Sequence, residues 1–80
     1  MTYMSHTPLR RTDLAAEIYA ELGQQRITVK QLATASNFSL STLYRRLDGV
    51  KPFTPDELHS IGQALAVPAH DLARRAKARA

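Results

Sequence analysis

No cysteine occurs anywhere in the 80 residues, so neither a disulfide framework nor a thiolate metal site can hold this chain together. Nothing approaches the run of about 18 apolar residues that a membrane-spanning helix needs. The opening segment, MTYMSHTPLRR, lacks the apolar centre of a secretory signal. Glycine is scarce, with three residues dispersed at 23, 49 and 62, which excludes a phosphate-cradling glycine loop. His6, His59 and His70 stand at isolated positions without metal-ligand spacing, and no nucleophile–histidine pair suggests itself. The expectation is a soluble, intracellular protein. It is not an enzyme, uses no cofactor or metal, and has neither a membrane nor a small-molecule partner.

What remains is an ordinary globular composition, 44% hydrophobic and 22% charged, at a length that suits one small domain. The net charge of +4 is unevenly spread. Residues 26–51 hold Arg26, Lys30, Arg45, Arg46 and Lys51 against a single acid, Asp48. Residues 12–25 hold Asp13, Glu17 and Glu21 with no base, whereas the end of the chain holds Arg74, Arg75, Lys77 and Arg79 against Asp71. A basic middle is the distribution expected of a protein that meets a polyanion.

Periodicity predicts five short helices and no strand. Thr12 is the expected cap of the first, with Asp13 in its first turn and Leu14, Ile18 and Leu22 as its inner stripe; Gly23 and the polar residues after it mark the exit. Thr28 with Gln31 three residues on forms a capping box for the second helix, whose inner residues are Leu32, Ala33 and Ala35. Asn37 suits a left-handed corner, Phe38 a core plug, and Ser39 the cap of a third helix facing inward through Leu43 and Leu47. Gly49 closes that helix, and Phe53 tucks under the domain. Thr54, Pro55 and Glu57 are the cap, first residue and third residue of a fourth helix built on Leu58, Ile61 and Leu65. Val67 and Pro68 break it, and a fifth begins near Ala69 with Leu72 inward.

The run from Ile27 to Leu47, ITVKQLATASNFSLSTLYRRL, thus reads as two short helices across a tight turn. Small Ala33 sits where the helices cross, Asn37 turns the corner, and Leu43 closes the core from the second helix. A short helix that presents hydroxyls and cations outward, braced by another, can enter the major groove of DNA. Spacing alone also allows an ordinary helical hairpin in an all-α bundle.

The motifs go further. The Leu32-Ala33 pair, the S-x-S-T-L run from Ser39 to Leu43, the R-x-x-G ending at Arg46 and Gly49, and the T-x-x-E-L…I…A-L-x-V run from Thr54 to Val67 resemble the Cro and phage-repressor (xenobiotic-response-element) helix–turn–helix family over about residues 12–73. The resemblance implies an all-α, compact five-helix fold of the lambda-repressor type and a regulator that reads a double-stranded DNA operator with the helix 39–47. It implies base reading by Leu40, Ser41, Thr42, Tyr44 and Arg45, of which Arg45 can bond both O6 and N7 of guanine. Arg45 could also serve a phosphate, and Leu40 could meet a thymine methyl or simply pack against Phe38 or Tyr44. Expected phosphate contacts are Thr28, Lys30, Ser39, Arg46 and Lys51, and about five of them give a salt slope near −4 to −5. Residues 1–11 form a basic arm whose Arg10 and Arg11 could follow the minor groove, and residues 74–80 a basic helical tail. Family members pair as two-fold homodimers, a pairing that could form only on DNA.

Three departures stand out. Asn37 and Ala66 occupy positions where the family favours glycine, and Val29 occupies that of a frequent phosphate-binding glutamine. The rival readings are a protein-interaction module, antitoxin-like or adaptor, and a recombination or architectural DNA-binding factor.

Overall fold

A computed structural model describes residues 11–79, with side chains from residue 13 onward. Five helices follow one another: α1 (Arg11–Gln25), α2 (Val29–Ala35), α3 (Leu40–Leu47), α4 (Pro55–Leu65) and α5 (Ala69–Arg79). No strand occurs among the described residues. Arg10 and the side chain of Arg11, expected in a minor-groove arm, lie outside the description.

The core draws on every helix. Ile18 of α1, Leu32 of α2, Leu43 of α3, Ile61 and Leu65 of α4 and Leu72 of α5 are fully buried, and Leu14, Leu22, Ala33, Leu47 and Ala76 complete the layer. Each fully buried aliphatic side chain favours folding by about 1.5–3 kcal/mol, which lets seven- and eight-residue helices persist that would melt alone. Phe38 and Phe53 meet edge to face at 6.3 Å between ring centres and close the core beneath the helix–turn–helix.

Helix starts follow the sequence. Thr28 and Thr54 each form a capping box, with Gln31 and Glu57 respectively, and the Ser39 hydroxyl accepts the Thr42 N–H. The first helix differs: the chain is already helical at Arg11, so Thr12 lies inside the first turn rather than before it.

Helix ends share one device. An N–H two or three residues past each of α1 to α4 returns to a carbonyl five residues earlier: Ile27 to Leu22 at 3.0 Å, Phe38 to Ala33 at 2.8 Å, Val50 to Arg45 at 3.0 Å and Val67 to Gly62 at 3.0 Å. The residue before each of those donors is left-handed: Arg26 (φ 58°), Asn37 (φ 63°), Gly49 (φ 81°) and Ala66 (φ 60°). This is the Schellman closure, with an apolar residue behind the left-handed one. It corrects the first exit. Gly23 stays helical, because Ile27 rather than the glycine decides where α1 stops; Ile27 packs against the core that holds Leu22. A second correction concerns α2, where Ala35 is exposed and Ser36 takes the inward place, its hydroxyl donating to the Leu32 carbonyl at 2.6 Å.

Helix α5 crosses α1, and charge follows the packing. Arg75 pairs with Glu21 at 2.9 Å and Arg79 with Glu17, on either side of fully buried Ala76. Arg74 pairs with Asp71 at 2.8 Å. The basic end of the chain is therefore laid against the acidic first helix.

Candidate nucleic-acid interface

Helix α3 has two sides. Leu43 and Leu47 are buried, while Leu40, Ser41, Tyr44 and Arg45 are exposed. Leu40 and Tyr44 remain 38% and 44% accessible, which is high for large apolar-bodied side chains in so small a domain. Leu40 therefore keeps an open apolar flank. Thr42 is half-buried: its oxygen accepts the Ser39 hydroxyl at 2.8 Å, so its own proton points to other acceptors while Ser39's is engaged within the cap.

Of the residues expected at phosphates, Thr28, Lys30, Ser39 and Lys51 are exposed. Thr28 and Ser39 sit at the N-termini of α2 and α3, where free N–H groups gather. Arg46 is placed differently. Its Nε and Nη2 donate to the two carboxylate oxygens of Glu57 at 2.9 and 3.0 Å, and the side chains are only 16% and 25% exposed. Glu57 in turn accepts the backbone N–H of Thr54 at 2.9 Å. These bonds hold the Glu57 carboxyl below its ordinary range, Arg46 first and the Thr54 N–H second, and Glu57 raises Arg46. The Arg46 guanidinium, expected at a phosphate, is thus bonded to α4 through two of its nitrogens.

Two residues join the face that motif spacing did not single out. Arg26, in its left-handed position at the α1–α2 corner, is exposed two residues before Thr28. Tyr19 of α1 is 42% accessible, and partial burial, with the charge of Asp48 and then Tyr44, pushes its hydroxyl's pKa up. An apolar, helix-face reading of α1 stops at Leu14, Ile18 and Leu22 and passes over Tyr19.

Pairing sorts the cations. Among the described residues, Arg46, Arg74, Arg75 and Arg79 have carboxylate partners, whereas Arg26, Lys30, Arg45 and Lys51 make no ion pair. Those four all lie between residues 26 and 51, and Lys77 is the one further cation without a pair among them. Among the described side chains, residues 26–51 therefore carry four of the five cations that have no ion pair. Among the described residues no group of three histidine, cysteine or carboxylate side chains could hold a metal, and no helix is long and apolar enough to cross a membrane.

No protein-family model matches the chain, and no curated protein does. Solved structures do. One crystal structure of the clp gene regulator ClgR from Corynebacterium glutamicum shares the fold with a TM-score of 0.80 and 27% identity, over 91% of this chain and 95% of that one. A second structure of ClgR gives a TM-score of 0.81 at 25% identity, over 94% of this chain and 79% of that one. The five-helix architecture is that of a bacterial helix–turn–helix transcription regulator. The likeness is to a gene regulator of a bacterium and not to a Cro protein or an immunity repressor, so that narrower kinship rests on the motifs alone.

Proposed function

We propose that this protein is a sequence-specific, double-stranded DNA-binding transcriptional regulator that lays α3 in the major groove. The observation that carries the reading is the sorting of charge: of the five described cations without an ion pair, four (Arg26, Lys30, Arg45 and Lys51) lie within residues 26–51, beside an exposed row of hydroxyl, phenol and guanidinium groups. Arg45 reads a guanine edge, Ser41, Thr42 and Tyr44 reach bases or the adjoining sugars, and Leu40 offers apolar contact to a thymine methyl. Thr28, Lys30, Ser39, Lys51 and Arg26 hold the backbone. Likeness to a regulator of clp genes supports gene control as the outcome. Resemblance of the motifs to Cro-type proteins favours repression, with two copies on half-sites about 34 Å apart.

The test is a titration of fluorescent duplex carrying the region upstream of the protein's own gene, against scrambled duplex, at two salt concentrations. Specific regulation predicts a preference of about 10³-fold or more. With Arg26, Lys30 and Lys51 as the cations that meet the backbone, the salt slope per bound copy is about −3. Equal binding to both duplexes defeats sequence readout. No binding at low salt moves the protein-interaction reading to the front.

A further inference from the structure

We propose that the Arg46–Glu57 pair is a specificity device: Glu57, a residue of α4, positions the recognition helix so that Arg45 and Tyr44 meet base edges in register. The inference rests on the DNA-binding reading above. Helix α3 is eight residues long, little more than two turns. Its start is fixed by the Ser39 cap and by the Phe38 N–H on the Ala33 carbonyl. Its far end runs into the loop before Thr54, and beyond the buried Leu47 it is the Arg46 side chain that ties this end to another helix.

The tie has little freedom. A planar guanidinium bonded at two points to a carboxylate resists both rotation and sliding, which one hydrogen bond does not. The carboxylate is itself fixed, because Glu57 accepts the Thr54 N–H at 2.9 Å while Thr54 Oγ1 accepts the Glu57 N–H at 3.1 Å. A rigid path thus runs from the first turn of α4 through Glu57 and Arg46 to the backbone that carries Arg45. Base readout tolerates displacement of only about 0.5 Å and 10–20° at the reading side chain. Phosphate contacts made by flexible lysines tolerate far more, so loosening the tie removes discrimination and leaves general affinity.

Charge and position make opposite demands here, which gives the test its sign. Neutralising Glu57 removes a negative charge next to a surface that meets phosphates, and on charge alone it strengthens binding to every duplex. The experiment selects duplexes from a random pool with the wild-type protein, then titrates the selected and scrambled duplexes with wild type, Glu57→Gln, Arg46→Lys and the double variant. Melting curves identify conditions in which all four are folded. Glutamine retains the capping role at this helix position, and lysine retains the charge, but neither keeps the two-point charged bond.

The expected result is an approximately tenfold loss of preference for the selected duplex in each single variant, with no further loss in the double. Binding to scrambled DNA is as tight as wild type or tighter, with an unchanged salt slope. Two outcomes overturn the proposal: Glu57→Gln tightening both duplexes alike, or Arg46→Lys keeping the wild-type preference, as a phosphate-binding arginine allows. Wild-type protein that enriches no duplex overturns the DNA reading, and the specificity role falls with it; enrichment by wild type with unaltered preference in both variants overturns the positioning role alone.

Discussion

Arg45 and Arg46 are neighbours in the chain with opposite surroundings. A helix turns about 100° per residue, so one guanidinium looks outward while the next meets Glu57 at 2.9 Å. Substituting Arg45 with alanine should cost the selected operator about 1–3 kcal/mol and relax the choice of base at one position. Lys51→Ala should instead weaken selected and scrambled duplexes alike and flatten the salt slope by about 0.9; titrations of both variants at several salt concentrations separate the two roles. Glu57 adds a dependence on acid. Its carboxyl is depressed in the folded protein from an ordinary value of 4.5, so the stability it confers is fully present above that value and is lost as pH falls through the folded one. Wild type should therefore melt above Glu57→Gln at pH 7, and the gap should narrow as the pH falls below 4.5. Asp71, which Arg74 also holds down, titrates in both proteins and cancels in the comparison. The sequence distinguished the outward residues of α3 by period but not the fate of Arg46. Glu57 was already accounted for as the third residue of a capping box, and nothing local reveals that one carboxylate serves the cap and a side chain eleven residues back.

At the scale of elements, the starts of α2, α3 and α4 were legible, whereas the start of α1 and its exact stop were not. A cap is a local pattern, and Thr28, Ser39 and Thr54 announce theirs through side chains that can bond only their own first turn. A stop depends on what the following apolar residue can reach, so Gly23 misleads and Ile27 decides. The same logic predicts how the glycines and the left-handed alanine respond to substitution. A Cβ at Gly62 would lie 2.6 Å from the Val67 carbonyl and 3.0 Å from the Ala69 N, both backbone, so Gly62→Ala must push α5 from α4. The cost is about 1–3 kcal/mol. At Gly23 nothing lies within 4 Å, and Gly23→Ala should stabilise its helix by about 0.5–1 kcal/mol. Ala66 holds φ 60° without the freedom of glycine, so Ala66→Gly should gain about 0.5–1 kcal/mol after the larger entropy of the unfolded glycine is subtracted. Each kcal/mol moves the midpoint by about 4–8 °C in a domain of this size, well within a melting experiment. A stabilised Gly62→Ala would mean that α4 and α5 are not in the close contact described.

For the whole molecule the governing quantity is where charge is left over. The net +4 belongs to the sum of an acidic α1, a basic middle and a basic end, and composition places the charges along the chain without saying which cancel. The α1–α5 crossing decides that, setting Arg75 on Glu21 and Arg79 on Glu17 around a buried alanine. The two arginines are half-exposed, but the Glu21 and Glu17 side chains are only 12% and 11% exposed, so removing either side of a pair leaves a poorly solvated charge or polar group behind. The pairs also act on the field: they offset the charge of Arg75 and Arg79, so that among the described residues most unpaired cations lie within 26–51. Replacing Glu17 and Glu21 together with glutamine should lower stability, and titrations belong at a temperature where melting curves show the variant folded. The replacement raises the net charge by two and frees two arginines on a face without base-reading side chains. Binding to scrambled duplex should tighten and its salt slope should steepen, while affinity for the selected operator rises less, so discrimination falls. Titrating both duplexes with this variant measures the effect directly. A scrambled-duplex affinity and slope identical to wild type would show that the α5 cations never approach DNA, and orientation on the duplex would then have to come from the contacts of α2 and α3 alone.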